Sequence, residues 1–119
     1  MVDFSLISNT YDRIHQHLVE TPLLEAPFLS DRLNKRVLIK AECLQKTGSF
    51  KYRGSWSSFV NNDIENLKKG VLAYSSGNHA QGIAAVAKQL KIEATIIMPK
   101  DAPRPVSYTH LTLPTKVEV

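Results

Sequence analysis

A chain of 119 residues suffices for one small domain with a single core, and its apolar and charged fractions, 43% and 22%, are those of an ordinary globular protein. The formal charge of +4 is dispersed, with no aromatic-interleaved basic patch, which argues against a nucleic-acid partner. No apolar run approaches the ~20 residues of a membrane span, and the single cysteine, Cys43, excludes an internal disulfide.

The start, Met1-Val2-Asp3-Phe4-Ser5, lacks the basic and then apolar pattern of a signal peptide, so a cytoplasmic location is expected. His15, His17, His79 and His110 form no ligand spacing with Cys43, and no metal site is expected. Phe4, Ile7, Tyr11, Ile14 and Leu18 step by three and four, one face of an amphipathic helix with Asp3 as N-cap. His15 and His17 fall off that stripe and are expected in solvent. Thr21-Pro22 ends the helix, because the residue before proline resists the helical region. Leu23-Leu24 and Phe28-Leu29 read as a short extended segment and a turn.

Val37 to Glu42 reads as a strand, and a helix is expected from about Ser49 to Asn61. Asp63 caps a short helix through Leu67, ended by Gly70. Val71–Tyr74 is a short strand. A helix from His79 to about Leu90 carries Ala80, Ile83, Ala84, Ala87 and Leu90 on one face, and Ala94–Met98 is a buried strand. Strands alternating with helices predict an α/β fold, a parallel sheet with helices on both faces in three layers. Ligands of such sheets bind beyond the carboxyl ends of the strands.

Two polar stretches fall at that rim. The first is Lys46-Thr47-Gly48-Ser49-Phe50-Lys51-Tyr52-Arg53-Gly54. Lys51 lies in the first turn of a helix, where free N–H groups already give positive character, and Arg53 adds a second cation. Both disfavour the protonated amine, a condition suited to a lysine that attacks a carbonyl. The alternative is a solvated lysine on a poorly optimised helix start. The second stretch, Ser75-Ser76-Gly77-Asn78-His79, offers hydroxyls, an amide, an imidazole and helix N–H groups. It suits a carboxylate or phosphate, and it is equally ordinary turn and cap chemistry. Gly82 lets the following helix pack closely on the sheet. There is no G-x-G-x-x-G and no Walker loop, so dinucleotide and nucleoside-triphosphate sites of those classes are unsupported.

Four ordered stretches together resemble the pyridoxal-phosphate enzymes of the tryptophan-synthase-β type (fold type II), in the branch of threonine/serine dehydratases and serine racemases. They are Thr21-Pro22-Leu23; Lys40-x-Glu42-x-x-Gln45-x-Thr47-Gly48-Ser49-Phe50-Lys51-x-Arg53-Gly54; Ser75-Ser76-Gly77-Asn78-His79-Ala80-Gln81-Gly82; and Met98-Pro99-x-x-Ala102-Pro103. The resemblance implies that Lys51 links covalently to pyridoxal 5'-phosphate, that Phe50 packs near the cofactor ring and that Asn78 binds its phenolic oxygen. It implies that Ser75, Ser76, Asn78 and His79 hold the substrate carboxylate. In the racemases the serine matching Ser76 moves a proton on the face opposite the lysine. The implied reaction is conversion of L-threonine or L-serine to a 2-oxo acid and ammonia, with serine racemisation as the alternative. The implied partner is a small amino acid, in an enzyme that is a homo-oligomer at full length.

The chain also departs from the family. The glycine-rich loop that grips the cofactor phosphate and the residue that meets the pyridine nitrogen lie further along in relatives, so the 119 residues by themselves are expected to be inactive. After Pro103 the family continues with a lysine-containing helix and a Gly-Ala-Glu-Val strand. Residues 105–119 read otherwise and are expected to be a foreign tail behind a family segment at 1–104. Lys91 stands where relatives usually have a left-handed glycine, at a cost of about 1 kcal/mol.

Overall fold

The computed structural model describes residues 3–99 and the backbone of 115–118. Helix α1, Phe4–Ile14, starts on Asp3, whose carboxylate accepts from the Leu6 N–H at 3.0 Å. It is shorter than its apolar stripe, giving way to a 3-10 turn at His15–His17. Ile14 is buried, whereas Phe4, Ile7 and Tyr11 are exposed, so the lower end of the stripe meets the core and the upper end does not.

Strand β1 (Leu23–Glu25), helix α2 (Pro27–Leu33) and strand β2 (Leu38–Lys40) make a separate small unit. The two strands pair antiparallel, Leu23 opposite Lys40 and Glu25 opposite Leu38. The Val37–Glu42 strand is therefore shorter than expected and is not part of the parallel sheet. A strand inside such a sheet is buried on both faces. All three residues of β2 are exposed, and the short α2 connection returns the chain alongside β1.

Helix α3 spans Lys51–Val60. Helix α4, Ile64–Leu67, is capped by the Asp63 carboxylate, which accepts from the Glu65 N–H at 3.1 Å. Strand β3 (Val71–Tyr74), helix α5 (Asn78–Leu90) and strand β4 (Ala94–Ile97) form a parallel unit with Val71 beside Ala94 and Tyr74 beside Ile97. The backbone of β5, Thr115–Glu118, adds a third parallel strand beside β4. The expected foreign tail otherwise lies outside the described residues, as do Ala102 and Pro103.

The protein is α/β, as expected, with one face of its parallel sheet covered. Ala73, Ala94 and Ile96 are buried on the α5 side with Val86 and Ala87. Helix α3 packs on α5, bringing Trp56 and Phe59 into the same core, and α1 packs on α3. On the opposite face Leu72 and Tyr74 are 70% and 74% exposed. The second helical layer of the expected three is thus not built by the described residues, and the sheet is incomplete relative to that arrangement. Lys91 closes α5 in the left-handed region at φ 57°, as its position implied.

Candidate active site

The two polar stretches take their places from the elements that precede them. Strand β3 ends at Tyr74, and the Ser75 N–H extends its ladder by donating to the Ile97 carbonyl at 3.0 Å. The Ser75 hydroxyl accepts from the Gly77 N–H at 3.2 Å and closes the turn. Helix α5 then begins at Asn78 with no side-chain cap. Its first-turn N–H groups face outward without an intrahelical acceptor, an arrangement suited to an anion. Ser75 and Ser76 are half-buried; Asn78 and His79 are exposed.

Residues Lys46–Gly48 form a 3-10 turn in which Thr47 and Gly48 both take positive φ, 64° and 69°. A β-branched residue in that region is a true outlier, and such strain is held only by firmly packed surroundings. Helix α3 starts two residues after Ser49, which does not cap it. The Thr47 and Ser49 hydroxyls are buried and have no hydrogen-bond partner among the described residues. Lys51 is half-buried at the first position of α3, with its amine 5.3 Å from the centre of the exposed Phe50 ring.

Gly82 joins the two helix starts. A side chain there would meet the Ser55 hydroxyl at 2.5 Å and the Lys51 carbonyl at 3.0 Å. The glycine therefore serves contact between α5 and α3, rather than between α5 and the sheet as expected. The first turn of α3, which carries Lys51, rests directly on the helix that opens with Asn78.

A partly buried polar clamp fixes the segment before Lys51. Arg53 donates to Glu42 through Nε and Nη2, both at 2.8 Å, and the Thr21 hydroxyl donates to the same carboxylate at 2.6 Å. The Arg53 hydrogen bonds are the main cause that holds the Glu42 carboxyl below its ordinary range, and the same contact raises Arg53. Gln45, buried, accepts from the Val19 N–H and donates to the Val19 carbonyl, each at 2.9 Å. Thr21, Glu42, Gln45 and Arg53 all lie in the quoted motifs, and their work is to hold the lysine turn. Opposite charges within one motif were the available signal. His17 gave none: rather than standing in solvent, its ring stacks on Trp56 at 3.9 Å and meets Gln89.

Comparison with known proteins adds the decisive observation: a family model described as pyridoxal-phosphate dependent enzyme matches residues 14–117. The chain belongs to the pyridoxal-phosphate dependent enzyme family. It is 46% identical over 92 residues to the L-threo-3-hydroxyaspartate ammonia-lyase of Saccharomyces cerevisiae, covering 77% of this chain and 28% of that protein. It is 47% identical over 85 residues to a catabolic L-threonine dehydratase of Staphylococcus aureus, covering 71% of this chain and 25% of the relative. Among solved structures, the serine racemase of Dictyostelium discoideum superposes with a TM-score of 0.88 at 33% identity, over 98% of this chain and 38% of that one. The chain thus spans well under half the length of these relatives.

The residues present fit the family's cofactor, pyridoxal 5'-phosphate, in kind. They supply a half-buried amine beside an aromatic ring, buried hydroxyls at Thr47 and Ser49 without partners among the described residues, and a helix start without a side-chain cap. Among the described residues no group of three or more His, Cys, Asp or Glu could hold a metal, and no helix is long and apolar enough to cross a membrane.

Proposed function

We propose that this chain is the lysine-bearing part of a longer pyridoxal-phosphate dependent ammonia-lyase that converts L-threonine or L-serine to a 2-oxo acid and ammonia. The observation that carries the reading is the packing at Gly82, which seats the first turn of α3, with Lys51, on the helix opened by Asn78. The ammonia-lyase and dehydratase names of the sequence relatives support it. In this reading Lys51 would hold the cofactor covalently at rest, and its Nζ, once freed by the incoming substrate amine, would take the substrate's α-proton. Phe50 lies by the cofactor ring, and Asn78 donates to the ring oxygen. Ser75, Ser76, Asn78 and His79, with the first N–H groups of α5, fix the substrate carboxylate and so orient the bond to be broken. The bound cofactor supplies an electron sink for the charge left at the α-carbon. The β-hydroxyl would then leave as water, taking up the proton received by Lys51, and hydrolysis of the released enamine would give the 2-oxo acid and ammonia.

A second reading is supported by the serine racemase neighbour and by Ser76. There the Ser76 hydroxyl returns a proton to the face opposite Lys51, giving an isomerase. Residues 1–104 form the family segment in this proposal and 105–119 a foreign tail, although the family match runs on to residue 117; reading the uninterrupted gene beyond the codon for Pro103 tests that boundary. The 119 residues alone are inactive in this proposal, and the full-length protein assembles as a homo-oligomer. The functional test is to incubate the longer protein containing this chain with L-threonine and with L-serine, and to assay 2-oxo acid. The expected result is oxo acid from at least one of them. None from either removes the lyase reading, and chiral analysis of recovered serine then decides for or against the racemase.

A further inference from the structure

We infer that Gly82 is a positioning residue for Lys51: the missing side chain sets how closely the first turn of α3 lies on α5. The inference rests on Lys51 being the reacting amine, and it adds what determines that amine's place.

The geometry is specific. Gly82 is buried, four residues into α5, and its would-be Cβ stands 2.5 Å from the Ser55 hydroxyl, 3.0 Å from the Lys51 carbonyl oxygen and 3.2 Å from the Lys51 carbonyl carbon. Two of these three atoms are backbone of the lysine itself. The third, the Ser55 hydroxyl, donates to the same Lys51 carbonyl at 2.9 Å and is 1% exposed, so it has little room to swing away. Real side chains essentially never approach to 2.5 Å, so a methyl group at position 82 has to displace something. On the α5 side, Ala80, Ile83, Ala84, Val86 and Ala87 are all buried, and the helix is seated on β3 and β4. On the α3 side, Tyr52, Ser55 and Trp56 are buried and the Glu42–Arg53 contact ties the helix to the preceding segment, but Lys51 is only half-buried and Phe50 is exposed. The first turn of α3 is the softer partner, and it is the part that moves. Its motion carries Lys51 away from the Ser75–Asn78 turn.

The test separates the place of Lys51 from its chemistry. The chain is reductively methylated with formaldehyde and cyanoborohydride for a limited time, and each lysine is quantified by mass spectrometry. The observable is the labelling of Lys51 relative to the exposed Lys35, far along the chain. Lifting the first turn in Gly82→Ala is expected to raise that ratio about fivefold, the scale on which an overpacked contact is relieved by local opening. Ser55→Ala/Gly82→Ala, compared with Ser55→Ala alone, loses the 2.5 Å contact and keeps the 3.0 Å one, so its rise is smaller but present. Val86→Ala, which opens space in the same helix core, lowers thermal stability and leaves the ratio where it was. An unchanged ratio in Gly82→Ala overturns the inference. If that variant fails to fold, the double variant decides: a ratio above that of Ser55→Ala supports the inference, and an equal ratio overturns it. In the longer protein, Gly82→Ala is expected to lower kcat about a hundredfold with little change in KM, as misplacement by about 1 Å does. A Val86→Ala variant of equal stability that loses as much kcat overturns the positioning role. If the wild-type protein forms no oxo acid and racemises nothing, the functional reading fails while the methylation ratio still decides what Gly82 does.

Discussion

Replacing Glu42 by glutamine tests whether the clamp that precedes Lys51 is held by charge. Three hydrogen bonds end on this carboxylate, two from Arg53 at 2.8 Å and one from Thr21 at 2.6 Å. A hydrogen bond to a charged group contributes about 1.5–3 kcal/mol, and removing one partner of a fully buried pair costs about 3–5 kcal/mol. Exposed pairs are worth about 0–1 kcal/mol. With 16% and 26% of the two side chains exposed, the pair lies between these limits. Glutamine retains a carbonyl acceptor but no counter-charge, which places the cost at about 2 kcal/mol at pH 7 and lowers Tm by about 10 °C for a domain of this size. The pH dependence carries the sharper test. Arg53 holds the Glu42 carboxyl below its ordinary range in the folded chain. A carboxyl depressed on folding contributes stability that is fully present above its unfolded value, about 4.3, and is lost as pH falls through the folded value. The difference between wild type and Glu42→Gln is therefore full at neutral pH and closes in acid below the ordinary carboxylate range. Urea unfolding followed by the fluorescence of Trp56, the only tryptophan, measures it at each pH. A gap that stays constant into acid, or one below about 0.5 kcal/mol at pH 7, refutes the reasoning.

Other outcomes follow from the same geometry. Arg53→Lys loses the two-nitrogen fork on Glu42 and is expected to cost about 1 kcal/mol in the same urea titration. Lys91→Gly relieves a left-handed lysine at φ 57° and is expected to stabilise the chain by about 1 kcal/mol, seen as a higher midpoint in urea. Leu72→Glu/Tyr74→Glu places charges on the bare sheet face; sedimentation of the 119-residue chain is expected to show less self-association than wild type. In the longer protein, Lys51→Ala is expected to abolish formation of 2-oxo acid, measured by a coupled dehydrogenase assay, while the Tm changes little.

The sequence was most legible where one local rule acted alone. Asp3 and Asp63 cap the helices they were expected to cap, and strands β3 and β4 fall where short apolar runs sit between turn residues. Lys51 in a first turn and the serine-rich loop at a helix start were both readable from turn chemistry. What failed was settled at long range. Val37–Glu42 has the composition of a strand, yet whether it enters the parallel sheet depends on what covers it, and α2 returns it to β1 instead. Ser49 has the right residue type for a cap, but two left-handed residues before it turn its hydroxyl inward. The Glu42–Arg53–Thr21 contact joins residues 11 and 21 positions apart, beyond any helical or strand period. His17 is off the helical stripe and still packs on Trp56, because the helix ends before it and a 3-10 turn redirects the ring.

The bonds that seat Lys51 come from remote stretches of chain: Thr21 and Val19 lie 32 and 34 positions from Arg53, and Gln45 lies 26 from Val19. A synthetic nonapeptide of residues 46–54 would carry every letter of the signature and none of these anchors. Its lysine would stand without the neighbours that hold Lys51 in the folded chain, so the place of that amine is set only once distant parts of the polypeptide have docked.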